Sequence, residues 1–341
     1  MKKQAFILSD CEYPECSGKP FALLTANPTK AHHFIAQTEQ RQHAHNPEVG
    51  QQNQNIYRLP PAMFQKPYRA QAQDVNIISN LAEKNLYTLT RGEEGLQYNL
   101  ESWFNRHESG YEDSCRLLRT LPAGCSDIPE ALWRILRLKL LGILRNPYNH
   151  NHLFAHRLHQ AIRTHLHDVS FEFVRLISGR DRDTIANILQ TYRFSFPGYV
   201  NWLANLYSML SDGVAQPSLF EQMFRAGFDN PKAAKIELYR YTDPADLCLL
   251  SDRGFCLQES AELFSIGVNI AHDMFAIVHI QKAWWPLLKQ SFHTMRTRKQ
   301  GEVSIHDGNQ VQRQLFNRMC IRQAKVAVYG RSPLMRDYFS E

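Results

Sequence analysis

The chain has 341 residues, a formal charge of +6 with its fifteen histidines counted neutral, and a sequence pI of about 8.9. Its 43% hydrophobic and 21% charged residues are those of an ordinary globular protein, which excludes a wholly disordered chain. No apolar run reaches the ~18 residues of a membrane span, and Ala5 to Leu8 falls short of the ~7–15 apolar residues of a signal-peptide core. A soluble cytoplasmic protein is expected, with its seven scattered cysteines reduced.

In chain order, Gln4 to Leu8 and Pro20 to Leu24 lean towards strand, with Cys11 and Cys16 between them. A polar stretch follows from Lys30 to Leu59, holding four histidines and six glutamines. It opens on a short apolar piece carrying His32 and His33 and closes on a strand-like Asn55 to Leu59. Building a core does not explain that composition. Ile77 to Leu89 reads as helical or mixed. Residues 1–95 are therefore expected to form a small ββα-like region around the His-His motif, and residues 96–341 a helical region with a small β element late in the chain.

In that second region the spacing of Leu100, Phe104, Tyr111, Cys115 and Leu118 predicts one helix from Leu96 to Leu121, stopped by Pro122 and Gly124. Ala131 to Leu144 is a strongly apolar helix ending at Arg145-Asn146-Pro147. Further helices are expected over Asn151–Leu176, Arg182–Tyr192, Tyr199–Leu210 and Ser218–Phe228, with Phe196-Pro197-Gly198 as a breaker. Pro231 to Tyr239 is a helix or a strand. Leu247–Phe255, Leu263–Asn269, Met274–Ile280 and Val326–Gly330 read as strands and a tight turn. The fold class expected is α+β: a predominantly helical middle, with short strands from the N- and C-terminal parts forming a small sheet.

Adjacent histidines at the end of a short strand are what a His-metal finger nuclease uses. One imidazole ligates a divalent metal while its neighbour takes a proton from the attacking water. On that reading His32 is the metal ligand and His33 the general base. Asn55 to Leu59 is then the second strand of the hairpin, a helix near Asn80 completes it, and Asn53, Asn55 or Asn76 orients the base. Glu39 and Glu108 are candidate helpers. Arg41, four residues after Gln37, and Arg145 are candidate phosphate holders. Cys11 and Cys16 are candidate ligands for a structural zinc, with Cys115 and Cys125 as a second half. His152, His156, His159 and His167 form a stripe with Arg163 beside an apolar helix face, a core border or a metal site. From Gln281 to Arg336 eleven Lys or Arg stand against Glu302 and Asp307. Arg296, Arg298, Lys299, Arg318 and Arg322 are thus candidates for a nucleic-acid backbone.

The motifs KAHHFIAQ at Lys30, NLAEKNLYTL at Asn80, WFNRHESGYE at Trp103, LLGILRNPYN at Leu140 and LLSDRGF at Leu249 together resemble the uncharacterised DUF4238 family. The resemblance implies His32, His33, Glu108 and Arg145 as site residues and names no reaction. The functional expectation from the residues is a nuclease or phosphodiesterase with an HNH-like centre, dependent on Mg²⁺ or Mn²⁺. An enzyme of that type would suit phage defence or a toxin role. The alternative is a non-catalytic helical module that binds nucleic acid or a partner protein. No membrane partner is expected.

Overall fold

The structure is a computed structural model. It describes residues 27–65, 70–91, 96–123, 129–151, 180–210, 218, 220–221, 224, 234–282 and 302–339. In chain order the strands are β1 (Ala31–His33), β2 (Asn55–Leu59), β3 (Gln73–Asn76), β4 (Ala82–Lys84), β5 (Leu89–Arg91), β6 (Leu96–Tyr98), β7 (Ala234–Arg240), β8 (Leu250–Ser251), β9 (Cys256–Glu259), β10 (Leu263–Ala271), β11 (Met274–Gln281), β12 (Glu302–Asp307) and β13 (Val328–Gly330). The α-helices are α1 (Gln37–Arg41), α2 (Glu101–Glu108), α3 (Tyr111–Thr120), α4 (Glu130–Arg145), α5 (Arg182–Tyr192), α6 (Phe196–Leu210) and α7 (Gln310–Gln323). Among the described residues no helix is long and apolar enough to cross a membrane.

The chain divides into two units, each assembled from separated stretches. The first takes the described residues within 1–34, 82–107 and 147–221. There β1 pairs antiparallel with β4, His32 opposite Glu83, and β5 pairs antiparallel with β6. Aromatic side chains fill this unit. Phe34 meets Tyr148 and Tyr192 edge-on, and Trp202 lies against Tyr87, Phe194 and Tyr199. Helix α6 begins at Phe196, so the expected breaker is its first turn. A proline there removes an amide that has no helical acceptor anyway.

The second unit takes the described residues within 35–81, 108–146 and 222–341. It holds a five-stranded sheet in the order β12-β7-β11-β10-β9 and a four-stranded sheet in the order β3-β2-β13-β8. In the larger sheet only β12 and β7 run parallel. A core joins them: Phe316 on α7 stacks on Phe275 at 4.2 Å between ring centres, beside Tyr239, Cys256, Leu59 and Val328. Helix α4 buries its leucine-rich face and places Glu130 in its first turn and Arg145 in its last, the charge order the helix dipole favours.

The structure differs from three of these expectations. The fold is not a helical middle with one small sheet. Strands β10 and β11 are nine and eight residues long and largely buried, so each needs a ladder partner on both sides; they pair with each other, β9 and β7 take their outer sides, and β12 extends the sheet beyond β7. Nor does the ββα hairpin form. The ladder of β1 goes to β4, that of β2 goes to β3 and β13, and the stretch around Asn80 is a turn leading into β4. The single helix expected over Leu96–Leu121 is likewise divided. Its start is β6, and Gly110, at φ +75° where a side chain would strain the backbone, separates α2 from α3.

Candidate functional site

Buried Ile35 and Ala36 lead into α1, a helix of little more than one turn. Its five residues split by facing. Glu39 and Gln40 are buried, while Gln37 and Arg41 share the half-exposed side, where Arg41 Nη2 donates to Gln37 Oε1 at 2.5 Å. Gln40 ties the helix down. Its Nε2 donates to the carbonyls of Ile35 (3.0 Å) and Asn80 (3.2 Å), and its Oε1 accepts from Asn80 Nδ2 at 2.9 Å.

Glu39, expected as a catalytic helper, forms a buried ion pair with Lys139 of α4. The Lys139 ammonium also stands 5.8 Å over the ring of Tyr111, whose hydroxyl donates to the Ile270 carbonyl at 2.8 Å. The expectations did not include Lys139. Its signal is a lysine on the buried face of an otherwise leucine-rich helix, a position that is tolerable only with a partner carboxylate.

Glu108, at the end of α2, accepts from Arg145 Nη2 at 2.9 Å. Arg145 is wholly buried and Glu108 is partly open to solvent. Arg41 also feels this carboxylate. Burial lowers the pKa of the Arg41 guanidinium below its ordinary value, and the Glu108 charge opposes that shift. The Arg41 Nε is buried with no hydrogen-bond acceptor. Arg145 therefore contacts Glu108, and Arg41 is within electrostatic reach of the same carboxylate in the second unit.

His32 and His33 belong to the first unit, and both are buried. His32 is fully engaged: its Nδ1 accepts from the Tyr87 amide at 2.9 Å, its Nε2 donates to the Thr29 carbonyl at 2.9 Å, and its ring stacks on Tyr87. Burial lowers its pKa to about 4, against the Thr29 hydrogen bond and with help from the Arg180 and His33 charges. A neutral imidazole with both nitrogens in hydrogen bonds has no lone pair left for a metal. The expected metal role therefore does not fit His32. Asn55 and Asn76, candidate orienting residues, hydrogen-bond each other across β2 and β3 at 3.2 Å, and Asn76 also donates to the Gln52 carbonyl.

Cys11, Cys16, Cys125, the stripe from His152 to His167, and Arg296, Arg298 and Lys299 lie outside the described residues. Cys115 is a buried free thiol whose pKa burial pushes up to about 12, which suits packing rather than reactivity. Arg318 and Arg322 stand one helical turn apart on the exposed side of α7, and exposed Lys325 follows.

No protein-family model matches the chain, and no curated protein or solved structure matches it significantly.

Proposed function

We propose that the protein handles a phosphodiester-bearing ligand, with nuclease or phosphodiesterase cleavage as the activity to assay. The carrying observation is the Arg145–Glu108 ion pair, with the Arg41 guanidinium in electrostatic reach of the same carboxylate. The buried Arg145–Glu108 pair fixes the carboxylate, and the half-exposed Arg41 is left to meet an incoming anion. Arginine suits that task because its planar fork matches phosphate oxygens in pairs. The net positive charge of the chain supports the same ligand class. The resemblance to the DUF4238 family, which includes Glu108 and Arg145 in its motifs, stands beside this as a further proposal.

The test is binding and cleavage measured together on the full chain. Labelled single-stranded DNA, duplex DNA and RNA are titrated at several salt concentrations, and cleavage is followed with Mg²⁺, Mn²⁺ or a chelator. Arg41→Gln should weaken binding about tenfold and reduce the salt slope by about one, with melting unchanged. Equal binding by wild type and Arg41→Gln would end this reading.

A second reading, a non-catalytic binding module, is favoured by the exposed row Arg318, Arg322 and Lys325 at the end of α7. It expects Arg318→Glu/Arg322→Glu to abolish binding, no cleavage with any metal, and little effect at Arg41.

A further inference from the structure

The five-stranded sheet has one face that changes character along its length. Its register places Gln258, Ser265, His279, Lys235 and Glu302 in one cross-strand row, Cys256, Gly267, Ile277, Glu237 and Ser304 in the next, and Phe275, Tyr239 and His306 beyond. Helix α7 covers the face from the second row onward. A Cβ on Gly267 would lie 3.1 Å from the Phe316 ring, which itself stacks on Phe275. The first row is open: Lys235 and Gln258 are exposed, and Ser265 and His279 are half-buried.

Five side chains on three strands form a hydrogen-bonded cluster that runs from the open row towards the covered ones. Ser265 Oγ lies 2.8 Å from His279 Nδ1, and His279 Nε2 lies 3.3 Å from Glu237 Oε2. The Tyr239 hydroxyl donates to the same Glu237 oxygen at 2.7 Å, and Lys235 Nζ stands 3.3 Å from the other. The spacing follows from sheet geometry. Ser265 and His279 are directly opposite on neighbouring strands, and Glu237 is on the diagonal, which a long side chain spans. Burial by itself would raise the Glu237 pKa, but the hydrogen bonds from Tyr239, His279 and Lys235 outweigh it and hold the carboxyl below its ordinary value. An ionised carboxylate only accepts, so His279 Nε2 carries the hydrogen. In the neutral ring Nδ1 is then bare and accepts the Ser265 hydroxyl proton.

We propose that Ser265 is a nucleophile activated by His279 and oriented through Glu237, and that this end of the sheet takes acyl esters. It is a separate site from the one around Arg41. As Ser265 Oγ bonds to the acyl carbon, its proton passes to His279 Nδ1, and the imidazolium charge is met by Glu237. Breaking the ester C–O bond releases the alcohol, which leaves with that proton. Water then attacks the acyl-Ser265 carbon and gives a proton to His279. Ser265 recovers that proton as the acid departs. The order of nucleophile, base and carboxylate is the one that activates serine hydroxyls generally. Amides inside the strands are spent in the ladders, so charge on the acyl oxygen faces Lys235 and water. Turnover should therefore be slow, and covalent capture is the cleaner readout.

The test uses the purified full chain and a fluorophosphonate probe. The Ser265 Oγ–P bond forms as fluoride leaves, and the adduct is mapped on wild-type peptides. The expected result is a single adduct on Ser265, lost in Ser265→Ala and formed at least tenfold more slowly in His279→Gln and Glu237→Gln, with p-nitrophenyl acetate hydrolysis falling in parallel. No adduct on wild-type Ser265, or equal capture rates in His279→Gln and wild type, overturns the proposal. Because the adduct is mapped on the wild type, the first outcome does not depend on any variant folding.

Discussion

Lys139 of α4 donates to the carboxylate of Glu39 in α1, and each side chain is only 2% exposed. Two charges so far from water hold one another in place. Removing either leaves the other buried without a counter-charge, at a cost of about 3–5 kcal/mol, whereas replacing both with apolar groups of similar size is often neutral. Lys139→Met alone should therefore lower the urea midpoint strongly, and Glu39→Leu/Lys139→Met should recover most of the loss. A single variant as stable as wild type would show that water reaches the pair.

Acid should weaken the fold before most carboxylates titrate. Burial lowers the pKa of His32 to about 4 and that of His43 to about 3, each against an ordinary 6.5. In both cases the unfolded chain takes up a proton at a pH where the folded one does not. Their contribution is complete above the ordinary value and is lost as the pH falls from 6.5 towards the folded values. Between about pH 7 and about pH 5 the loss is about 2 kcal/mol per histidine. His43→Gln, which keeps a donor for Asn269 Oδ1 in place of the 2.6 Å imidazole contact, should flatten this slope in urea titrations. An unchanged slope would assign the acid sensitivity elsewhere.

The Asp252 carboxylate gathers three consecutive amides just before β13: Lys325 at 3.1 and 3.0 Å, Val326 at 2.5 Å and Ala327 at 3.0 Å. Asp252→Asn turns one acceptor oxygen into a donor that faces donors. The expected cost is about 2–3 kcal/mol. Hydrogen exchange at residues 325–328 should quicken more than in α4, and uniform protection in the variant would contradict this account.

Two glycines give a contrast in steric cost. A Cβ on Gly330 would lie 2.1 Å from the Tyr338 hydroxyl, which binds both the amide and the carbonyl of Ser332. A Cβ on Gly308, at φ +67°, would meet nothing within 4 Å. Gly330→Ala should cost about 1–3 kcal/mol by overpacking. Gly308→Ala should cost about 1 kcal/mol from backbone strain alone. Thermal melts of the two variants test the ordering.

What the sequence makes legible is local. Arg182–Tyr192 and the apolar helix after Pro129 carry their own periodicity, and the strands at Leu263 and Met274 are dense in apolar and β-branched residues. Partner choice is not local. Asn55–Leu59 looks like the return strand of a hairpin with His32–His33 because only a polar loop separates them, but its ladder is filled by β3 and by β13. The site residues follow the same division. Arg41, Glu108 and Arg145 stood out singly as charges beside apolar runs, and their meeting is a product of the fold. Ser265, His279 and Glu237 lie on three strands and share no motif. Their one trace is a histidine at a solvent-facing parity in the apolar run Met274–Gln281.

The pairing of Leu59 with Val328 also sets an order of events during synthesis. About 270 residues separate the two, so at ~5–20 residues per second β2 waits roughly 15–50 s for its neighbour to emerge. During that interval one edge of β2 is open to other chains, and nascent protein would need a chaperone or rapid translation to stay clear of aggregation.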